Sequence, residues 1–244
     1  MRRLVLFIPL LLLFTAACSV DVPDIRGEKK SSVPIGDDEL RSMAEALTNQ
    51  AFGDAYAGMV ADEESGIQTR DAFIQEADDP EDEAKDVDTY GYVSSAQYAY
   101  YDPEALSKGG PFIAGVSVTL FQTEAGAAGY LRDDLDDGRR TFSGTSEAGT
   151  LLAFQTFKPK LGQHNYGVYM RLKAAKEVFG TDGDVSLTIV TFQHGRVLGS
   201  VYVWRTDAKD AKADVMLVAK LLDARMKAVL RGETPAAPEA ASTQ

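Results

Sequence analysis

The stretches VSLTIVTF (185–192) and VLGSVYVW (197–204) are β-branched and aromatic runs, separated by Gln193, His194, Gly195 and Arg196. Runs of this kind joined by so short a segment read as a β-hairpin. With His194 and Gly195 as a two-residue loop, Val185, Leu187 and Ile189 share a face with Leu198, Tyr202 and Trp204. That face is the expected core side, because side chains alternate along a strand.

Outward from the hairpin the pattern changes period. After it, Ala211, Val215, Val218, Leu222, Met226 and Val229 advance by three and four, which predicts an amphipathic helix capped by Asp207 and stopped at Gly232. Before it, FIAGVSVTLF (112–121) alternates as a strand, and Thr123 opens a helix carrying Ala128, Leu131 and Leu135. Further strands are expected at 150–157 and 166–172, and an early helix at 38–50 on Leu40, Met43 and Leu47. The strands lack the crossover rhythm of a parallel sheet. The expected fold class is therefore α+β, a mainly antiparallel sheet packed by amphipathic helices in a single domain.

The chain has 244 residues, with 37 Asp and Glu against 25 Lys and Arg, one Cys and two His. A formal net charge of -12 argues against a nucleic-acid partner, which needs clustered cations. A single Cys excludes an internal disulfide, and two His leave no zinc site of the usual four-ligand kind, so neither a metal nor a cofactor is expected.

At the amino terminus Arg2 and Arg3 precede an apolar run from Leu4 to Phe14, then Thr15, Ala16, Ala17 and Cys18. This is a secretory signal, too short to span a bilayer as a helix. Phe14-Thr15-Ala16-Ala17-Cys18 resembles the lipobox of bacterial lipoproteins. The resemblance implies cleavage after Ala17 and a diacylglycerol on Cys18, hence an extracytoplasmic protein held on the cell membrane. Ser19 after the Cys is similar to lipoproteins sorted to the outer membrane where a cell has two. The alternative is a plain signal peptide that leaves Cys18 a free thiol. Residues 1–17 are then the signal peptide, 18–36 the lipidated Cys and a flexible tether rich in Pro, Gly and Ser, 37–231 the globular domain, and 232–244 a disordered tail. From Phe112 onward the order of strand, helix, strands, hairpin and final helix is distantly similar to extracytoplasmic sensor or ligand-binding domains of some actinobacterial and chloroflexal lipoproteins. That likeness transfers no functional residue.

Motifs for catalysis are thin. Gly144-Thr145-Ser146-Glu147-Ala148 approaches a nucleophile elbow but has Ala for the second Gly and no apolar strand before it, so it reads as a polar loop, and no catalytic residue is expected. His164 and His194 fall in turns and are expected to face solvent. The segment 62–88 holds twelve acids against Arg70 and Lys85. It lacks EF-hand spacing and reads as a solvated, mobile acidic loop, with a calcium loop of distant oxygens as the alternative. Tyr90, Tyr92, Tyr98 and Tyr100 share one parity in YGYVSSAQYAYY (90–101), which would place them on one face of an extended run, either a binding surface or a half-buried strand. With Tyr202 and Trp204 they are the candidate contacts for a ligand or partner. Two readings follow: a noncatalytic binding or sensor domain for a small apolar or amphipathic ligand, and an adaptor docking an envelope protein through an aromatic face. Replacing Cys18 by Ala is expected to move the protein from the membrane to the soluble fraction and to end palmitate labelling; labelling that persists overturns the lipobox reading.

Overall fold

The computed structural model describes residues 34–77, 79–141, 145–146, 149–176 and 183–238. Cys18 and the segments assigned to signal and tether, up to residue 33, lie outside the described residues. The strands are β1 (Val60–Ala61), β2 (Gly66–Thr69), β3 (Tyr92–Tyr101), β4 (Pro111–Phe121), β5 (Thr145–Ser146), β6 (Gly149–Phe157), β7 (Asn165–Ala174), β8 (Asp184–His194) and β9 (Val197–Arg205). The helices are α1 (Asp37–Ala44), α2 (Arg70–Gln75), α3 (Pro80–Tyr90), α4 (Ala105–Lys108), α5 (Glu124–Thr141) and α6 (Lys212–Leu230). The strands form one sheet in the order β1-β3-β4-β9-β8-β7-β6-β5, with β2 also on β3. Every pairing is antiparallel, so the α+β expectation holds.

The hairpin sits at the centre of the sheet, but its turn is one residue later than expected. His194 pairs with Val197, and Gly195 and Arg196 form the loop. Gly195 has φ 57 and takes the first turn position, where a side-chain-bearing residue is strained. His194 therefore ends a strand.

Each sheet face carries its own core. On the first face Val116, Val118, Val190, Phe192, Val201 and Val203 pack against Leu40 and Met43 of α1 and Val215, Val218, Leu222 and Met226 of α6. On the second, Phe121, Val168, Met170, Leu187, Leu198, Tyr202 and Trp204 join Phe73, Val87, Ala127 and Leu131 of α2, α3 and α5. The expected face of Val185, Leu187, Leu198, Tyr202 and Trp204 is real, yet the final helix packs on the other one. Val190, Val201 and Val203 make β8 and β9 apolar on both sides, so the sheet must be covered twice.

Asp207 does not cap α6. Arg205 binds it through two hydrogen bonds of 2.8 Å and holds its carboxyl down to about 2, whereas Asp210 accepts from the Lys212 amide at 2.7 Å. The acidic segment is folded rather than a mobile loop. It contains β2, α2 and α3, and α3 has Asp79 as cap, Pro80 at its start and Glu81, Asp82 and Glu83 in its first turn. Acids there face the positive end of the helix dipole, which turns their number into a helix-starting signal.

The early helix ends at Ala44, and its last carbonyls are captured from across the molecule. Buried Arg225 of α6 donates from Nε to the Met43 carbonyl at 2.9 Å, to the Ser42 carbonyl, and from Nη1 to the Ala236 carbonyl at 2.7 Å. Residues 232–236, assigned above to a disordered tail, are thus tied back onto the domain. Core residues run from Ile35 to Val229, so a chain begun at Ser19 keeps all of them. Arg225→Ala leaves three carbonyls without their donor and is expected to cost about 3 kcal/mol, read as a lower urea midpoint. Arg225→Lys should recover only part, because one ammonium cannot reproduce the guanidinium fork.

Candidate functional site

The register of β3, β4, β9, β8, β7 and β6 lines up three cross-strand rows on the second face. One row is polar: Gln97, Ser117, Ser200, Thr191 and Tyr166. The next is mixed: Ala99, Gly115, Tyr202, Ile189, Val168 and Thr156. The third is apolar: Tyr101, Ile113, Trp204, Leu187, Met170 and Phe154. Rows on one face lie about 7 Å apart along the strands, so the three form a band graded from polar to apolar.

The band is half-open. α5 packs on β4, β8 and β9, where Gln193 Nε2 donates to the Glu124 carbonyl at 2.9 Å, and α4 packs on β4 at the opposite end. Between them Gln97, Ala99, Ile113, Ser117, Phe154, Ile189 and Ser200 are half-exposed, and Tyr101 is exposed. Tyr202, Trp204 and Leu187 form a buried floor. Tyr202 leans across β4 because its partner there is Gly115, where a Cβ would come within 2.5 Å of the ring. The Tyr202 hydroxyl accepts from Gln97 Nε2 at 3.4 Å. Burial pushes that hydroxyl up to about 12, so it keeps its proton. Thr191 and Ser200 share a hydrogen bond of 3.0 Å, and Tyr166 bonds the Asp134 carboxylate on α5.

Of the six aromatic candidates, Tyr202 and Trp204 lie in this band and the other four are dispersed. Gly91 has φ 68 and ends α3, so Tyr90 is helical; its hydroxyl donates to Asp133 at 2.7 Å. The β3–β4 register shifts between Tyr92 and Ser94, which moves Tyr92 to the face opposite Tyr98 and Tyr100. Tyr92 is buried, stacked on Phe73 at 4.6 Å, with its hydroxyl on the Gln68 carbonyl at 3.2 Å and the Ser95 hydroxyl at 2.9 Å. Tyr98 and Tyr100 pack into the α1 side of the first core. The expected single-parity tyrosine face does not form, because one bulge and one helix cap reset the alternation. Gln97, Ser117 and Ile189, which complete the band, carry no motif; only the cross-strand register reveals them.

Other titratable clusters are engaged in structure. His194 is not a solvent-exposed turn residue: its Nε2 lies 2.6 Å from Asp223 on α6, and Lys227 Nζ donates to the same carboxylate at 2.7 Å. Burial would raise Asp223, but the bonds from Lys227 and His194 outweigh it and hold the carboxyl below its ordinary value. Thr145 and Ser146 form the short edge strand β5, and Gly144, Glu147 and Ala148 lie outside the described residues. Among the described residues no three His, Cys, Asp or Glu are grouped as a metal site, and no helix is long and apolar enough to cross a membrane.

No family model and no curated protein matches the chain. It is similar in structure to the extracellular domain of PknH from Mycobacterium tuberculosis, at 12% identity over 82% of this chain and 99% of that one, with a TM-score of 0.47. A likeness at that level assigns no residue and no role here.

Glu83 of α3 is buried in the second-face core, and desolvation, with repulsion from Asp86, pushes its carboxyl up to about 7. The folded state holds that proton more tightly than the unfolded chain. Its contribution is complete below pH about 4 and is lost as pH rises towards the folded value. The melting temperature is therefore expected to fall between about pH 5 and pH 8, and Glu83→Gln should flatten that dependence.

Proposed function

We propose that the chain is a noncatalytic, extracytoplasmic binding domain, anchored through lipid on Cys18, that holds a small amphipathic ligand on the band around Tyr202. The observation that carries this is the ordered gradient of the three rows at half-exposed positions. Ligand sites are mostly apolar with a few placed polar groups, and a rigid sheet presents them preorganised. Location outside the cytoplasm rests on the apolar leader and the Ala17-Cys18 junction.

Partner docking is the second reading. The buried tyrosines do not support an aromatic docking face. The outer edge of β6 supports it better: β5 pairs only with Gly149 and Thr150, and Leu151 to Phe157 meet no outer strand among the described residues, with Leu152 exposed. An open edge accepts an extended segment as an added strand.

Native mass spectrometry on the chain from Ser19 onward, purified gently from its own organism, separates the two. A copurifying mass that departs on denaturation and is missing from Ile189→Glu is the expected result. The same clean mass for both proteins overturns the ligand reading and favours the β6 edge.

A further inference from the structure

Every position in the three rows is uncharged, in a chain where 25% of residues are charged. Several of these positions are half-exposed, where a Lys or Glu could reach water at little cost. At the polar row, Gln97 Oε1 and Ser117 Oγ have no hydrogen-bond partner among the described residues, and they lie on paired neighbours of β3 and β4. One accepts only, and the other can donate or accept. Two carboxyl groups border the band: Asp134, which accepts from the Tyr166 hydroxyl at the polar row, and Asp62, whose amide donates to the Ala99 carbonyl at 2.9 Å and whose Oδ1 accepts from the Glu64 amide at 3.0 Å. Both repel an anion. Both are also half-exposed and already accept a hydrogen bond, so solvent screening leaves each a weak partner for a desolvated cation.

A charged head buried against this band would lose its hydration and gain no counter-ion that is not already engaged, which is costly; a hydroxyl, ester or amide head would exchange water for Gln97 and Ser117. We infer that the band takes a neutral single-chain amphiphile, with its hydrogen-bonding head at Gln97 and Ser117 and its hydrocarbon along Ile189, Ile113 and Phe154. This rests on the binding reading above and adds the class of ligand to it.

Trp204 is the chain's one tryptophan and lies in the apolar row, so its emission reports occupancy directly. The probes are 1-monodecanoylglycerol, decanoate, decyl phosphate and decyltrimethylammonium, each below its critical micelle concentration, titrated into the chain from Ser19 onward. The neutral glycerol ester is expected to change Trp204 emission saturably, with each ionic probe weaker by about tenfold or more. Ser117→Lys, checked for unchanged melting, should weaken the ester and strengthen decanoate and decyl phosphate. Any ionic probe that binds as well as the ester overturns the neutral-ligand inference and leaves the band as a site. A response that is equal in Ile189→Glu, or absent for every probe, overturns the binding reading and this inference together.

Discussion

The pairing of His194 with Val197 sets the register on which the rest of the structure depends. Strand side chains alternate with a period of two, so a one-residue slip would exchange the faces of a whole strand. In the observed register Val190, Phe192, Val201 and Val203 meet α6, while Leu187, Ile189, Tyr202 and Trp204 meet the other face. β4 then adds to β9 with Gly115 opposite Tyr202, and β7 adds to β8 with Val168 opposite Ile189. The three graded rows are the continuation of that single hairpin, the polar one across five strands and the other two across six. Gly195 at the first turn position is what places the hairpin there.

The two faces are covered to different degrees. On the first face α1 and α6 lie over the central strands, and cross-links hold them. Arg225 joins α6 to the end of α1 and to Ala236, and the His194–Asp223–Lys227 group joins the hairpin tip to α6. On the second face α5 and α4 pack towards opposite ends. A face closed this firmly fixes the backbone of the half-open one. Occupying the band therefore needs little ordering of the protein, which is the main cost a preorganised site avoids.

The long elements were legible in the sequence because their periods are strong. The strands at 111–121, 149–157 and 165–174, the central hairpin and the final helix all stand close to where alternation and three-four spacing place them. Local rules failed where a single residue resets the period. Gly91 and the bulge after Tyr92 scattered four tyrosines that simple parity puts together. Acids clustered around Asp79 and Pro80 read as a loop by composition, yet their positions at a helix start make them stabilising. Tyr202 and Trp204 were visible as aromatic strand residues, but Gln97 and Ser117 were not. Their meaning comes from neighbours a hundred residues away in sequence, supplied only by strand order.

Charge is partitioned in a way that follows from this geometry. The segment 62–88, with twelve acids against Arg70 and Lys85, supplies most of the chain's net negative charge, and its acids sit largely on α2, α3 and the turns around them, where water and helix dipoles accommodate them. The band has none, even at Gln97, Ser117, Ser200 and Thr156, which are not fully buried. Burial alone accounts for neutrality at Tyr202 or Trp204, since a charge there would be desolvated by the fold itself. It does not account for neutrality at the half-exposed positions, where solvent still reaches. Neutrality at these positions fits the proposed site, in which a ligand would remove the remaining water, and the gradient from Gln97 to Phe154 would then orient that ligand's two ends.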